Sequence, residues 1–426
     1  MSSILLKSVT ALLADGSIEE TDIVIEDDKI KSIGLANMSV SYDRVIEGKN
    51  KLAVAGFVNA HTHASMTLLR SYADDMALMD WLQKKIWPIE AKMKKDDIYW
   101  GAMLAIAEMI KSGTTAFVDM YGDMEQVAKA CVETKMRAVL TRGIIGVAPN
   151  GMAALKENAE LYRDFHGTEN GRITVMFAPH APYTCPPDFL RKVVEVARPL
   201  NAEIHIHLSE TKGEVEDCLK QYGKTPFGIM EETGILECGT LAAHSVHLKE
   251  EDFALIKKYN VRIAHNPASN MKLASGVAPV PRLLAEGACV GIGTDGASSN
   301  NNLDMIEEMQ LAALLHKVDT YNPLAISAGE AVKMATEYGA KAIGFKEGGA
   351  IDVGKKADIT IFDMGGIKWQ PRHNIVSLLA YSADSSSVDT VIVDGNILLD
   401  GGLLTTIDEE QVIFEANKRA MKLANL

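Results

Sequence analysis

His61 and His63 stand one residue apart, just after a β-rich run from Leu52 to Val58. In an extended strand, residues i and i+2 point the same way. Both imidazoles therefore aim at one point, as a shared metal ion requires. Taken alone, the pair reads equally as two polar residues at a strand end. The rest of the chain decides between these readings. His180 follows Ala178-Pro179, and His207 ends another apolar run, followed by Leu208-Ser209-Glu210. His244, His265 and Asp295 end three more. Six of the 11 histidines thus fall at the ends of expected strands, where chance would scatter them.

The ligand set this pattern points to is His61, His63, His207 and Asp295. Three neutral imidazoles and one carboxylate suit Zn²⁺, or another divalent metal, and leave a position for water. No expected strand end offers a lysine to bridge a second ion, so one metal per chain is expected. Zinc lowers the pKa of bound water towards ~7, which makes hydroxide available near neutral pH. His244 is placed to shuttle the proton, and Asp295 to hold both metal and water. Glu210, three residues past His207, can protonate a ring nitrogen while the neighbouring carbon is attacked. His205 lies one pleat deeper than His207 and reads as barrel packing. His166, His247, His316 and His373 fall in helix or loop context and carry no expected role.

These residues need a scaffold that gathers strand ends. From Gly56 onward, short apolar strands alternate with amphipathic helices. The strand ending at His61 is followed by Thr114 to Asp119, Ala138 to Thr141, Ile173 to Ala178, Glu203 to Leu208, Thr240 to His244, Val261 to His265 and Cys289 to Thr294. Asp96 to Lys111, Glu125 to Thr134 and Asp188 to Arg198 read as helices between them. Eight such units predict a (β/α)8 barrel, whose active site forms at the C-terminal strand ends. An open doubly wound sheet would not bring every strand end to one place. Residues 1–56 and 348–405 instead show alternating strands and turns, with Asp394-Gly395-Asn396 as a hairpin signal. They are expected to form one composite β-sandwich from both termini, beside a 57–347 hydrolase barrel and a 406–426 C-terminal helix.

Composition narrows the function classes. The 426 residues are 47% hydrophobic and 23% charged, with a net charge of −14. That balance argues against a nucleic-acid or anionic-membrane surface. The five cysteines are scattered with no CxxC, as for reduced thiols in a cytoplasm. No signal-peptide pattern or membrane-length apolar run is seen, so the expected location is cytoplasmic. Gly291-Ile292-Gly293-Thr294-Asp295-Gly296 matches G-x-G-x-x-G but lacks the βαβ context and the later acidic strand end of a dinucleotide site. Its glycines read instead as a close approach of backbone to the metal site.

Gly56-Phe57-Val58-Asn59-Ala60-His61-Thr62-His63-Ala64 resembles the first-strand motif of the amidohydrolase superfamily. His207-Leu208-Ser209-Glu210, Ala243-His244, His265-Asn266-Pro267-Ala268-Ser269-Asn270 and Gly293-Thr294-Asp295-Gly296 resemble its later motifs. Gly348 to Asp358 resembles its return into the sandwich. Within the superfamily, Met66-Thr67-Leu68-Leu69-Arg70, Trp81-Leu82, Trp87-Pro88-Ile89-Glu90 and Ala178-Pro179-His180-Ala181-Pro182-Tyr183 are similar to the 5′-methylthioadenosine/S-adenosylhomocysteine deaminases.

The resemblance implies a metal-dependent deaminase of 5′-modified adenosines, acting with water on a small nucleoside and assembled as a homo-oligomer (dimer or tetramer). It implies that Glu90 holds the ribose hydroxyls, that His180 contacts the nucleoside, and that Arg142 lies near the 5′ substituent, across a subunit boundary in some members. Glu210 and Asp295 would also touch the substrate. Members that take S-adenosylhomocysteine often carry a second arginine where Ala154 stands here, so uncharged 5′ groups are expected: 5′-deoxyadenosine and 5′-methylthioadenosine. The alternatives are the same machinery on guanine or a triazine ring, and an inactive barrel used as a scaffold.

Overall fold

The computed structural model describes residues 3–37 and 39–425. Its centre is a parallel barrel of eight strands in sequence order: Phe57–Thr62, Thr114–Tyr121, Arg137–Ile144, Ile173–Pro179, Ile204–Leu208, Thr240–His244, Arg262–His265 and Val290–Ile292. Phe57–Thr62, Ile204–Leu208 and Thr240–His244 are buried at every position. That follows from their place: helices cover one face and barrel side chains fill the other. Val58, Ala60, Val118, Val139, Leu241 and Ala264 form an apolar cluster inside.

The helices dock by their apolar stripes. In Pro187–Ala197, Phe189, Leu190, Val193, Val194 and Ala197 recur at helical spacing and are all buried. Lys212–Tyr222 is capped by the Thr211 hydroxyl, which accepts from the Glu214 N–H at 3.2 Å, and ends at Gly223 with φ 67°.

The barrel closes between its last and first strands through side chains and loop backbone. The Asp295 N–H donates to the His61 carbonyl at 2.9 Å. Asn59 Nδ2 donates to Thr294 Oγ1 at 2.7 Å, and the Thr294 N–H to Asn59 Oδ1 at 3.0 Å. Gly293 permits this seam: a Cβ there would lie 2.8 Å from the His61 nitrogen.

The run Leu52 to Val58 is two strands rather than one. Lys51–Ala55 belongs to a second sheet and Phe57–Thr62 to the barrel. Gly56 makes the break, its N–H donating to the Asp358 carbonyl at 3.0 Å. A Cβ at Gly56 would lie 2.1 Å from the Thr115 side chain. That second sheet is mixed, nine-stranded and drawn from both ends of the chain. Lys51–Ala55 joins the two parts, pairing parallel with Ser3–Leu12 and antiparallel with Ile359–Asp363. The expected sandwich strands are thus hydrogen-bonded into one sheet, which folds over a core of Leu6, Ile23, Ile25, Ile359, Ile361 and Ile392. Asp394 and Gly395 both have positive φ, as the tight hairpin between Val388–Val393 and Asn396–Asp400 demands.

The final helix, Glu409–Leu423, starts where Asp408 caps it, its carboxylate accepting from the Gln411 N–H at 3.0 Å. No described helix is long and apolar enough to cross a membrane.

Candidate active site

The C-terminal strand ends bring His61, His63, His207, His244 and Asp295 together. One ligand atom from each of His61, His63 and His207 lies within 4.8 Å of the others, and the same holds for His61, His244 and Asp295. Asp295 Oδ1 lies 3.2 Å from His63 Nε2 and 3.5 Å from His61 Nε2. His207 Nε2 is 3.4 Å from His63 Nε2.

What aims these nitrogens is the bond each ring makes on its other side. His63 Nδ1 faces the Met120 carbonyl at 2.6 Å, and His207 Nδ1 faces the His180 carbonyl at 2.7 Å. A carbonyl only accepts, so each Nδ1 carries the proton and each Nε2 presents a lone pair. His61 reaches the same state through a relay. His205 Nδ1 donates to the Leu241 carbonyl at 3.1 Å, so its Nε2 accepts from His61 Nδ1 at 2.8 Å. His61 Nε2 is then a buried lone pair with no hydrogen-bond partner among the described residues. His205, read as packing from the sequence, instead sets the tautomer of His61. Four donors converge and one is orphaned, which is the donor chemistry and outer support a divalent metal requires.

Asp295 is oriented as tightly. Ser269 Oγ donates to its Oδ2 and the Gly296 N–H to its Oδ1, both at 2.7 Å. His244 lies 3.9 Å from both Asp295 Oδ2 and Glu210 Oε2. Its Nδ1 faces both Asn270 Oδ1 at 2.9 Å and the Asn266 side-chain amide nitrogen at 3.3 Å, which turns Nε2 towards the two carboxylates.

Glu210 is buried between strand end and helix, ahead of Lys212–Tyr222. The Glu214 carboxylate fixes its backbone by accepting the Ser209 and Glu210 N–H groups at 2.9 and 2.8 Å. Burial raises the Glu210 carboxyl above its ordinary value, partly offset by His244. A carboxyl so raised is suited to give a proton.

One cavity joins this cluster to the residues the family resemblance singled out. His63, His207, Glu210, His244 and Asp295 line it, and so do Glu90, Arg142 and His180. Glu90 is delivered by the segment between the first strand and the helix Lys95–Lys111. There Pro88 has no N–H to offer the Lys84 carbonyl. The turn before it widens, and the Trp87 N–H reaches the Leu82 carbonyl five residues back. Tyr121 then donates its hydroxyl to Glu90 Oε1 at 2.6 Å. Burial raises the Glu90 carboxyl, and this hydrogen bond works against that. His180 is kept neutral by burial, its pKa lowered to about 3. Arg142 lines the cavity from its own chain, with Nε on Glu157 Oε2 at 2.7 Å.

The model of the Amidohydrolase family matches residues 52–398. The chain belongs to the amidohydrolase family. It is 49% identical to the 5-methylthioadenosine/S-adenosylhomocysteine deaminase of Pelotomaculum thermopropionicum and 50% identical to that of Desulforamulus reducens, with all of both chains covered in each case. An adenosine deaminase from Xanthomonas campestris, solved with bound zinc, superposes at a TM-score of 0.95 with 31% identity, covering 100% of this chain and 99% of that one.

Sequence reasoning missed several residues of this amidohydrolase. Tyr121, Ser269, Asn270 and Glu214 each hold a site group in place. Tyr121 had a legible signal, since it ends the second barrel strand. Ser269 and Asn270 stand in the His265 to Asn270 motif without a role of their own being legible, and Glu214 gave no signal, because their partners are set by loop geometry. Ala154 is buried on Gly151–Phe165 in the main core rather than in the cavity wall. Its lack of charge therefore bears on the 5′ end of a substrate only indirectly. His316 meets His265 in a buried pair, Nε2 to Nε2 at 3.1 Å, away from the cavity lining.

Proposed function

We propose that this amidohydrolase hydrolyses the C6–amino bond of 5′-modified adenosines, giving the inosine analogue and ammonia. Its substrates on this reading are 5′-deoxyadenosine, 5′-methylthioadenosine, S-adenosylhomocysteine and adenosine, with the first two favoured. The reading rests on one observation: a single cavity is lined by Glu210, His244 and Asp295 and also by Glu90 braced on Tyr121. The former suit attack on a purine ring. The latter suits two vicinal ribose hydroxyls, which a carboxylate accepts well. A guanine or triazine ring carries no ribose and gives Glu90 no task.

His61, His63, His207 and Asp295 would hold one divalent metal, with zinc as first choice. When bound, it supplies the Lewis acidity that makes water nucleophilic near neutral pH. The chain's own residues do the rest. His244 Nε2 and Asp295 Oδ2 take protons from the attacking water as its oxygen bonds to C6. Glu210 gives a proton to N1, so the ring accepts the electron pair without building up charge. The C6–amino bond then breaks, the amine leaves as ammonia with a proton returned by His244, and the second water proton passes from Asp295 to Glu210, which restores both carboxyls. His180 stays neutral and hydrogen-bonds the base. Trp81, Leu82, Trp87 and Met93 supply an apolar wall to the cavity, in keeping with small uncharged 5′ groups. A subunit partner completes the assembly as a homo-oligomer. The test is ammonia release by the purified, zinc-loaded protein from these adenosines beside guanine and a triazine. Turnover of guanine or the triazine alone would refute the proposal.

A further inference from the structure

The mouth of the cavity carries a charge pattern that the reaction does not use. Asp123 and Arg142 both line the cavity wall. Two cations lie within electrostatic reach of the Asp123 carboxyl, Lys95 and Arg142, and so do two carboxylates, Glu125 and Glu157. Each cation is already engaged elsewhere. Lys95 Nζ sits on Glu125 Oε1 at 2.6 Å, and Arg142 Nε on Glu157 Oε2 at 2.7 Å. Asp123 is left as the surplus anion, with no side-chain hydrogen bond to another described residue. It precedes Met124–Thr134 without capping it.

The backbone bears on this as well. Asp123 sits in the left-handed region, at φ 45° and ψ 46°. A residue with a Cβ is strained there, though Asp and Asn bear it better than most. Gly122, the neighbour that would relieve such strain at no steric cost, stands one position too early. The chain thus holds a half-buried carboxylate against the cavity at some conformational cost, with no side-chain hydrogen bond or ion pair to another described residue.

We propose that Asp123 is a specificity-determining residue that reads an ammonium group on the 5′ substituent. The preferred substrates on this view are adenosines whose 5′ tail is neutral or ends in a primary amine. A tail ending in a carboxylate alone is disfavoured, because Glu157 already offsets the charge of Arg142 and the tail must face Asp123. The inference rests on the deaminase reading and refines its substrate class.

Three probes test it: 5′-methylthioadenosine, the 3-aminopropylthio analogue and the 2-carboxyethylthio analogue. The zinc-loaded wild type should turn over the amine tail at least as well as the methyl tail, and the carboxylate tail worst. In Asp123→Asn, which keeps the left-handed backbone accessible, the amine-to-methyl ratio of kcat/KM should fall about tenfold and the carboxylate-to-methyl ratio should rise. Asp123→Gly relaxes the backbone and removes the charge, and should shift both ratios the same way. Unchanged ratios in both variants would overturn the role of Asp123. If the wild type turned over none of the three probes, the deaminase reading itself would fall and this inference with it. Turnover of the methyl tail with no discrimination among tails would sink only the inference.

Discussion

The two ends of the barrel each bury a cluster of charged and polar groups, and the clusters differ in one respect. At the N-terminal end, Arg137 opens the third strand. It donates to Asp358 Oδ2 at 2.6 Å and to Asp394 Oδ1 at 2.9 Å. Lys356 adds a second cation on Asp394 at 2.9 Å, and the Asp394 N–H donates to Asp358 Oδ1 at 2.7 Å. These carboxylates belong to the mixed sheet, so the cluster ties sheet to barrel. At the C-terminal end, His61 Nε2 points at its neighbours with no proton to share. A buried charge is tolerated when its partners surround it. A cluster whose donors match holds parts together, and a cluster whose lone pairs converge is built to receive an ion from outside.

The largest effect that could break this contrast comes from His207→Ala. It should abolish both tight zinc binding and turnover, read by elemental analysis of the purified protein and by ammonia release. Wild-type zinc content in that variant would mean that the convergence is not a metal site. Next is Arg137→Ala, which leaves Asp358 and Asp394 buried without their guanidinium. It should cost about 3–5 kcal/mol in urea unfolding. Metal content per folded molecule should stay the same, and a selective loss of metal would join two clusters that are separated here.

Within the C-terminal cluster, Glu210→Gln keeps the shape and removes the proton. It should retain zinc while kcat falls by about 10²-fold. Full activity would take Glu210 out of the chemistry. The smallest effect is expected for His205→Ala, which frees the His61 ring from its relay. Metal affinity, measured by chelator competition, should drop by about 10–100-fold, with activity recovered in excess zinc. A variant that loses stability but keeps its affinity would return His205 to a packing role.

Some of this site was written in short stretches of chain. His61-Thr62-His63 shows its convergence by spacing alone, because a strand has a side-chain period of two. The position of Asp295 after an apolar run is equally local. Other parts were out of reach. Between Leu52 and Val58, Gly56 marks a boundary between the two parts, but the apolar pattern runs through it and does not show that one strand stops there and another begins. Pairing with Ile359–Asp363, some three hundred residues on, makes the division. The His61–His205 relay spans 144 positions. The pairing of Arg142 with Glu157 had no signal in the sequence either.

Residue chemistry and period, which are properties of neighbours in the chain, pointed on their own to the barrel and to the donor types at its strand ends, and the resemblance of short motifs gave the deaminase family. Tertiary structure alone decided which ring nitrogen carries the proton, which carboxylates are paired and which one faces the cavity unpaired. Those are through-space quantities: a tautomer follows from the group opposite, and a surplus charge exists only once every partner has been placed.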